Sequence, residues 1–355
     1  MKSLFFDDSF TLDLPDDDIL SQKEILRAHI DASRSLAELK GTVNTLPNSR
    51  ILIDTLPLQE AGDSCGIENI VSSGDEIFKA LTTREGKEGM GAREIIGYRS
   101  AIYYSRDADL SIGSIEGVCS RVLGRDIRIR KDDEQVYLKN PATGEIVFTP
   151  PSGNAVRPLM EQLLGYMNDP GIDPLLRMVI SHSAFETIHP FMDGNGRTGR
   201  VLNVSLICKT GLLRDPILFL SGYLIENRRE YYRQLRRINE NRAKWDRWTA
   251  FMLEGVRTAS VETLDRIERI TSLYEKTCRE CKGRTYYSQD LMDLVFSKVY
   301  VRIGDLENAG ICERNTASKY LKQMESDGLL ESEKVGRTVI FKNTGLMREL
   351  SFRNP

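Results

Sequence analysis

Cysteine is sparse. Cys65, Cys119, Cys208, Cys278, Cys281 and Cys312 are scattered through 355 residues, which excludes the dense disulfide framework of a small secreted domain and suggests reduced thiols. No stretch of 18 apolar residues occurs, so no membrane-spanning helix is expected. The first ten residues lack both an apolar signal core and a cleavage site, which makes the cytoplasm the expected compartment. A formal charge of -3 removes any global electrostatic reason to look for nucleic acid or an anionic membrane. Internal repeats and low-complexity tracts are absent as well, excluding solenoids and linker-like chains.

What is present is ordinary globular composition, 40% hydrophobic and 28% charged, over a length that suits two or three domains. Six aspartates between Asp7 and Asp18 mark an acidic arm. Apolar spacing predicts a helix from Gln22 to Leu39, a break bracketed by Pro47 and Pro57, and a further helix from Gln59 to Leu81. Val136 to Phe148 reads as two β-leaning runs joined by Asn140-Pro141-Ala142-Thr143-Gly144, a hairpin. From Val156 to Ile270 the periodicity is helical almost throughout, so helix-on-helix packing should dominate. Beyond Lys282-Gly283-Arg284 short helical segments end in a β pair around Gly336, the order of a winged helix-turn-helix.

One segment stands apart, running from His189 through Pro190, Phe191, Met192, Asp193, Gly194, Asn195, Gly196, Arg197, Thr198 and Gly199 to Arg200. Pro190 disfavours helical geometry at His189 and should end the preceding helix there. Gly194 and Gly196 permit positive φ or a close backbone approach, and a new helix can start near Asn195. A glycine loop feeding a helix N-terminus converges backbone N–H groups on an anion, for which phosphate is the natural guest. Arg197 and Arg200, three apart, point to one side and can clamp further oxygens. Asp193 is a hard oxygen donor suited to Mg²⁺, and His189 offers a base that ordinarily titrates near neutral pH. Turns, helix stops and solvated arginines account for each fragment singly. No packing requirement places all of them side by side.

The segment resembles the signature of the Fic (filamentation induced by cAMP) family, His-Pro-Phe-x-Asp/Glu-Gly-Asn-Gly/Lys-Arg with a second Arg three residues on. The likeness extends to Phe185-Glu186-Thr187-Ile188, the hairpin, Leu220-Ser221-Gly222-Tyr223, Arg229-Glu230-Tyr231-Tyr232 and Trp245-Asp246-Arg247-Trp248, covering roughly Ser64 to Ala259. It implies a mainly α protein with a Fic-type helical bundle, a small β-hairpin flap and a C-terminal winged helix-turn-helix. The divisions would be 1–100, with an inhibitory helix near 60–72, then a catalytic core over 101–270 and a winged-helix domain over 284–355.

The resemblance also implies an AMP transferase that uses ATP and Mg²⁺ on protein Ser, Thr or Tyr hydroxyls. His189 would be the base and Asp193 the metal ligand. Gly194, Asn195 and Gly196 would hold the α-phosphate, and Arg197 and Arg200 the β- and γ-phosphates. Tyr232 and Asn239 would contact the adenosine. Gly196 favours AMP transfer over the reversed nucleotide pose, whose users carry Lys there. The flap at 136–148 would dock an extended segment of a target protein.

Ser64-Cys65-Gly66-Ile67-Glu68-Asn69 resembles the family's inhibitory motif, in which Ser64, Glu68 and Asn69 deliver a carboxylate to Arg200 and keep ATP unproductive. Members with this architecture can also remove AMP. Ile115-Glu116-Gly117 is a decoy, since Ile112 stands where the motif needs Ser or Thr. In the C-terminal region, ten Lys/Arg balance ten Asp/Glu between Tyr286 and Pro355, so a protein contact or homodimer is expected rather than DNA binding. Cys278 and Cys281 lack the further ligands of a zinc site, and His182 is expected to pack rather than react. The competing reading is a transcriptional regulator that senses a nucleotide in its Fic-like domain and binds an operator through the winged helix.

Overall fold

A computed structural model describes residues 11–45 except 13 and 16, and residues 50–83, 89–139, 143–240, 245–335 and 338–350. Most of the acidic arm, the flap tip at 140–142 and the wing residues Gly336 and Arg337 lie outside the described residues.

Helices α1 (Lys23–Thr45), α2 (Arg50–Ile67), α3 (Gly74–Thr83), α4 (Met90–Asp107) and α5 (Ile112–Leu123) come first. The flap strands β1 (Leu138–Lys139) and β2 (Ile146–Phe148) follow, antiparallel, with Leu138 opposite Phe148 and Lys139 opposite Ile146. Then come α6 (Gly153–Asn168), α7 (Pro174–Ile188), α8 (Asn195–Lys209), α9 (Leu220–Glu226), α10 (Arg228–Glu240) and α11 (Trp245–Cys281). The C-terminal unit contains α12 (Gln289–Ser297), β3 (Tyr300–Val301), α13 (Ile303–Asn308), α14 (Arg314–Ser326), β4 (Leu330–Val335), β5 (Thr338–Asn343) and α15 (Thr344–Glu349).

The core is built around α7 and α8, whose residues are nearly all buried, including the polar His182, Arg197, Arg200 and Asn203. Helices α4 and α5 pack against α8, and α6, α10 and α11 pack against α7. Local chemistry sets the ends of α7. Asp173 caps it by accepting from the Leu175 and Leu176 amides at 2.9 and 3.0 Å, Pro174 fits the first turn, and His189 at φ 51° closes it. His29 of α1 reaches the same Asp173 at 2.9 Å, fastening α1 to the start of α7.

Three expectations need correction. Pro57 does not break the chain; it lies inside α2, which ends at Ile67 rather than Leu81. Burial of Leu56, Leu58, Ala61, Cys65 and Ile67 outweighs the local cost of an interior proline. Helix α11 runs on to Cys281 instead of stopping near 270, so one helix of about 55 Å spans the expected domain boundary. The C-terminal sheet has a third strand, in the order β3-β5-β4, because Tyr300 and Val301 pair with Lys342 and Phe341. The order of helices α12 to α14 before β4 and β5 is otherwise the expected one.

The C-terminal unit also grips α3. Lys79 pairs with Glu333 at 2.7 Å, Lys342 with Asp75 at 3.2 Å, and the Tyr300 hydroxyl bonds Asp75. Among the described residues no helix is long and apolar enough to cross a membrane.

Candidate active site

The segment from His189 to Arg200 is the connection between α7 and α8, and its shape follows from its residues. His189 adopts the left-handed conformation, uncommon outside glycine, before Pro190. Gly194 is left-handed at φ 83° and begins α8. The Asn195 side chain pins the loop between them, accepting from the Phe191 amide at 2.9 Å and donating to its carbonyl at 2.8 Å. What Asn195 can offer an anion is therefore its backbone N–H. No side chain caps α8, so its first amides, which lack intrahelical acceptors, face outward at the positive end of the helix.

His189 is half-buried, with Nδ1 3.3 Å from the Glu186 carbonyl. A carbonyl only accepts, so Nδ1 carries the proton and Nε2 is left as the acceptor. Burial pushes the imidazole down to about 4, with the Arg130 charge acting the same way against the Glu186 carbonyl, Glu68 and Asp193. At neutral pH it is an uncharged base. Asp193 is mostly exposed; its Oδ1 accepts from the Gly194 amide at 2.6 Å and lies 3.6 Å from Arg197 Nη2. Arg197 is buried and bonded to Glu94 of α4.

Arg200 is 1% exposed and held through Nε and Nη2. Its Nε donates to Ser64 Oγ at 2.7 Å, and Nη2 donates to the Ser64 carbonyl at 3.0 Å and to Glu68 Oε1 at 2.8 Å. Burial alone would raise the Glu68 carboxyl, but the Arg200 guanidinium outweighs it and holds the group below its usual range. Glu68 sits in the turn just past α2, and Asn69 follows at φ 60°, a conformation that suits Gly or Asn. Asn69 Oδ1 is held in turn by Arg228 at 2.8 Å. The fit at α8 is close: a Cβ on Gly196 would stand 2.6 Å from Glu68 Oε1. Ser64 and Glu68 thus meet Arg200 from a segment more than 130 residues upstream, while Asn69 is tied to α10.

Tyr232 is 40% exposed on α10, its ring 5.1 Å from that of Tyr231 with the Arg228 guanidinium over it. Asn239 lies deeper, accepting from Thr187 at 3.0 Å and donating to the Leu235 carbonyl at 3.1 Å. His182 is buried, stacked on Trp248 and bonded to the Tyr231 hydroxyl at 2.8 Å. Glu116, the decoy, accepts from the Ile129 amide and from Arg128, each at 3.0 Å. Cys278 and Cys281 are free thiols, and no described cluster of three His, Cys, Asp or Glu residues could hold a metal by itself.

Sequence reasoning missed three residues. Glu94 has no local signal. Glu186 is half-buried on α7 one turn before His189, with its Oε1 shielded and unbonded, and desolvation raises the carboxyl to about 7; its spacing from His189 was the available clue. Arg130 is buried beneath the loop and bonds the His189 carbonyl at 3.0 Å.

Family models match this chain in three consecutive pieces: the Fic/DOC family N-terminal region over residues 26–107, the Fic/DOC family itself over 115–207, and the C-terminal domain of SoFic-like protein adenylyltransferases over 271–346. The chain belongs to the Fic/DOC family. Within the family it is 27% identical over 221 residues to protein adenylyltransferase fic-1 of Caenorhabditis elegans, and 35% identical over 197 residues to a probable protein adenylyltransferase of Aquifex aeolicus. These alignments take in 57% and 53% of this chain but only 41% and 57% of the relatives. Among solved Fic structures, a protein from Desulfovibrio desulfuricans superposes with a TM-score of 0.59 at 19% identity, over 91% of this chain and 97% of that one, a likeness of fold. Fic-1 from C. elegans superposes with a TM-score of 0.51 at 25% identity, over 68% of this chain and 74% of that one.

Proposed function

We propose that the protein is an autoinhibited adenylyltransferase that moves AMP from ATP to a Ser, Thr or Tyr hydroxyl of a target protein and of itself. The observation that carries this reading is the loop between α7 and α8, where a neutral imidazole, an uncapped helix N-terminus and two buried guanidiniums converge. The relatives' names support the same chemistry.

In the proposed reaction the α8 amides receive the α-phosphate, and Arg197 and Arg200 offset charge on the leaving phosphates. His189 Nε2 takes the proton of the target hydroxyl as its oxygen bonds the α-phosphorus, and the bond to the β-phosphate oxygen breaks to release pyrophosphate. Positioning and electrostatics supply most of the rate in such transfers, which suits a loop without a covalent nucleophile. Asp193 fits Mg²⁺ as a single exposed carboxylate beside the phosphate cradle, since that ion takes one or two carboxylates plus substrate oxygens. When bound, Mg²⁺ would neutralise charge developing on the phosphates.

Arg200 cannot serve a γ-phosphate while Ser64 and Glu68 hold it, so the described state is the silent one. The flap, with Tyr137 and Ile146 exposed, offers main-chain pairing to an extended target segment. In the C-terminal region the ten Lys/Arg between Tyr286 and Pro355 are balanced by ten Asp/Glu, which favours a protein partner over DNA. The test is intact mass after incubation with ATP and Mg²⁺. Glu68→Gly should gain AMP on Ser, Thr or Tyr, and Glu68→Gly combined with His189→Ala should not. Nucleotide binding without any mass gain in Glu68→Gly would favour the sensor reading instead.

A further inference from the structure

The turn that aims His189 needs support the signature does not supply. Three successive carbonyls, those of Ile188, His189 and Pro190, emerge where α7 stops and cannot be satisfied within the helix. One residue meets all three. Arg130 donates from Nη2 to Ile188 O at 3.1 Å, from Nε to His189 O at 3.0 Å, and from its backbone N–H to Pro190 O at 2.8 Å.

The rest of the guanidinium reaches the flap. Nη2 also donates to Pro151 O at 2.8 Å and Nη1 to Glu134 O at 3.1 Å. Glu134 stands before β1 and Pro151 after β2, so both stems of the hairpin end on the side chain that holds the base. Arg130 is 3% exposed, and these side-chain contacts are all to backbone carbonyls. Burying a cation that bonds no carboxylate is costly, and burial lowers this one to about 10 against the opposing charge of Glu134. A planar fork of five donors can serve four carbonyls at once, whereas the compact ammonium of lysine cannot.

We propose, resting on the transfer reaction above, that Arg130 is a positioning residue that fixes the His189 imidazole in its left-handed turn and ties it to the flap. One guanidinium then holds both the base and the hairpin on which the hydroxyl-bearing segment docks. Its charge, second to burial, also helps keep His189 neutral against the Glu186 carbonyl, Glu68 and Asp193.

The test uses the full chain carrying Glu68→Gly as parent. Adding Arg130→Lys should lower kcat roughly 10- to 100-fold, the scale of a misplaced catalytic group, while KM for ATP is unchanged. Arg130→Gln should lose as much kcat and also move the acid limb of the rate profile upward, because the charge is gone. Arg130→Lys should leave that limb in place. Retained kcat in Arg130→Lys, or a loss appearing only as raised KM for ATP, overturns the proposal. Should Arg130→Gln fail to fold, the lysine variant carries the comparison.

A second measurement needs no activity. With only three histidines in the chain, the His189 ring signals can be assigned by NMR through His189→Ala. Both Arg130 variants should displace them, and only Arg130→Gln should raise the titration midpoint. If Glu68→Gly alone transfers nothing, the functional reading fails by itself; unaltered His189 signals in both Arg130 variants would overturn the positioning role independently.

Discussion

Replacing Glu68 by glycine removes one of the three bonds that hold Arg200 and leaves the two to Ser64 at 2.7 and 3.0 Å. A hydrogen bond to a charged group contributes about 1.5–3 kcal/mol. Each ~1.4 kcal/mol is tenfold in an equilibrium, so the share of enzyme whose Arg200 can turn to a γ-phosphate should rise about 10- to 100-fold. Self-labelling with radiolabelled ATP should rise by a comparable factor at subsaturating ATP. Glu68→Gln, which keeps the shape but loses the charge, should fall between the two. The buried guanidinium also loses its counter-charge, so Glu68→Gly should unfold at lower denaturant without ATP and recover part of that loss when ATP is bound. Equal labelling by wild type and Glu68→Gly refutes the brake, because then Arg200 was never limiting.

Other expectations follow from individual contacts. Asn69→Gly keeps the φ and loses only the exposed bond from Arg228, so its labelling should change little, whereas Asn69→Val forces a β-branched residue to positive φ at a cost of about 1–2 kcal/mol, loosening the turn that presents Glu68; the valine variant's labelling should exceed wild type, and unchanged labelling would detach this turn from control. His189, lowered to about 4, should let Glu68→Gly stay active well below pH 6, and a rate profile falling near 6.5 would contradict the burial argument. The same shift predicts a stability difference. The unfolded state binds the His189 proton first, so the contribution of the neutral imidazole is complete above about 6.5 and is lost as pH falls toward 4. Glu186, raised to about 7, works in the opposite sense: its contribution is complete below about 4.5 and is lost as pH rises through 7. Denaturation of Glu186→Gln against wild type across that range should therefore show the variant gaining relative stability with rising pH. Gly153→Ala would place a Cβ 1.6 Å from the Lys131 carbonyl; it should unfold well before wild type in denaturant, and an unchanged midpoint would argue against the described flap stem.

The helical core was legible because its signals are local. Pro190 ends α7 and Gly194 opens α8, each through the backbone preferences of residues within a few positions. Pro57 misled for the same reason, since its local preference was overridden by burial of the flanking leucines. Strand β3 escaped notice because two residues carry no periodicity, and their pairing depends on β5, some 40 residues later.

By itself the sequence determined which residue types gather between His189 and Arg200 and that this stretch must be a turn between two buried helices. Steric limits on Pro190, Gly194 and Gly196 settle that much without any distant partner. Tertiary structure alone decided what those side chains touch. Arg200 meets Glu68 across 132 positions, Arg197 meets Glu94 across 103, and the His189 carbonyl meets Arg130 across 59. Contacts at such separations depend on helix packing rather than on local preference, and the same packing, by excluding water, turns an ordinary histidine into a neutral base.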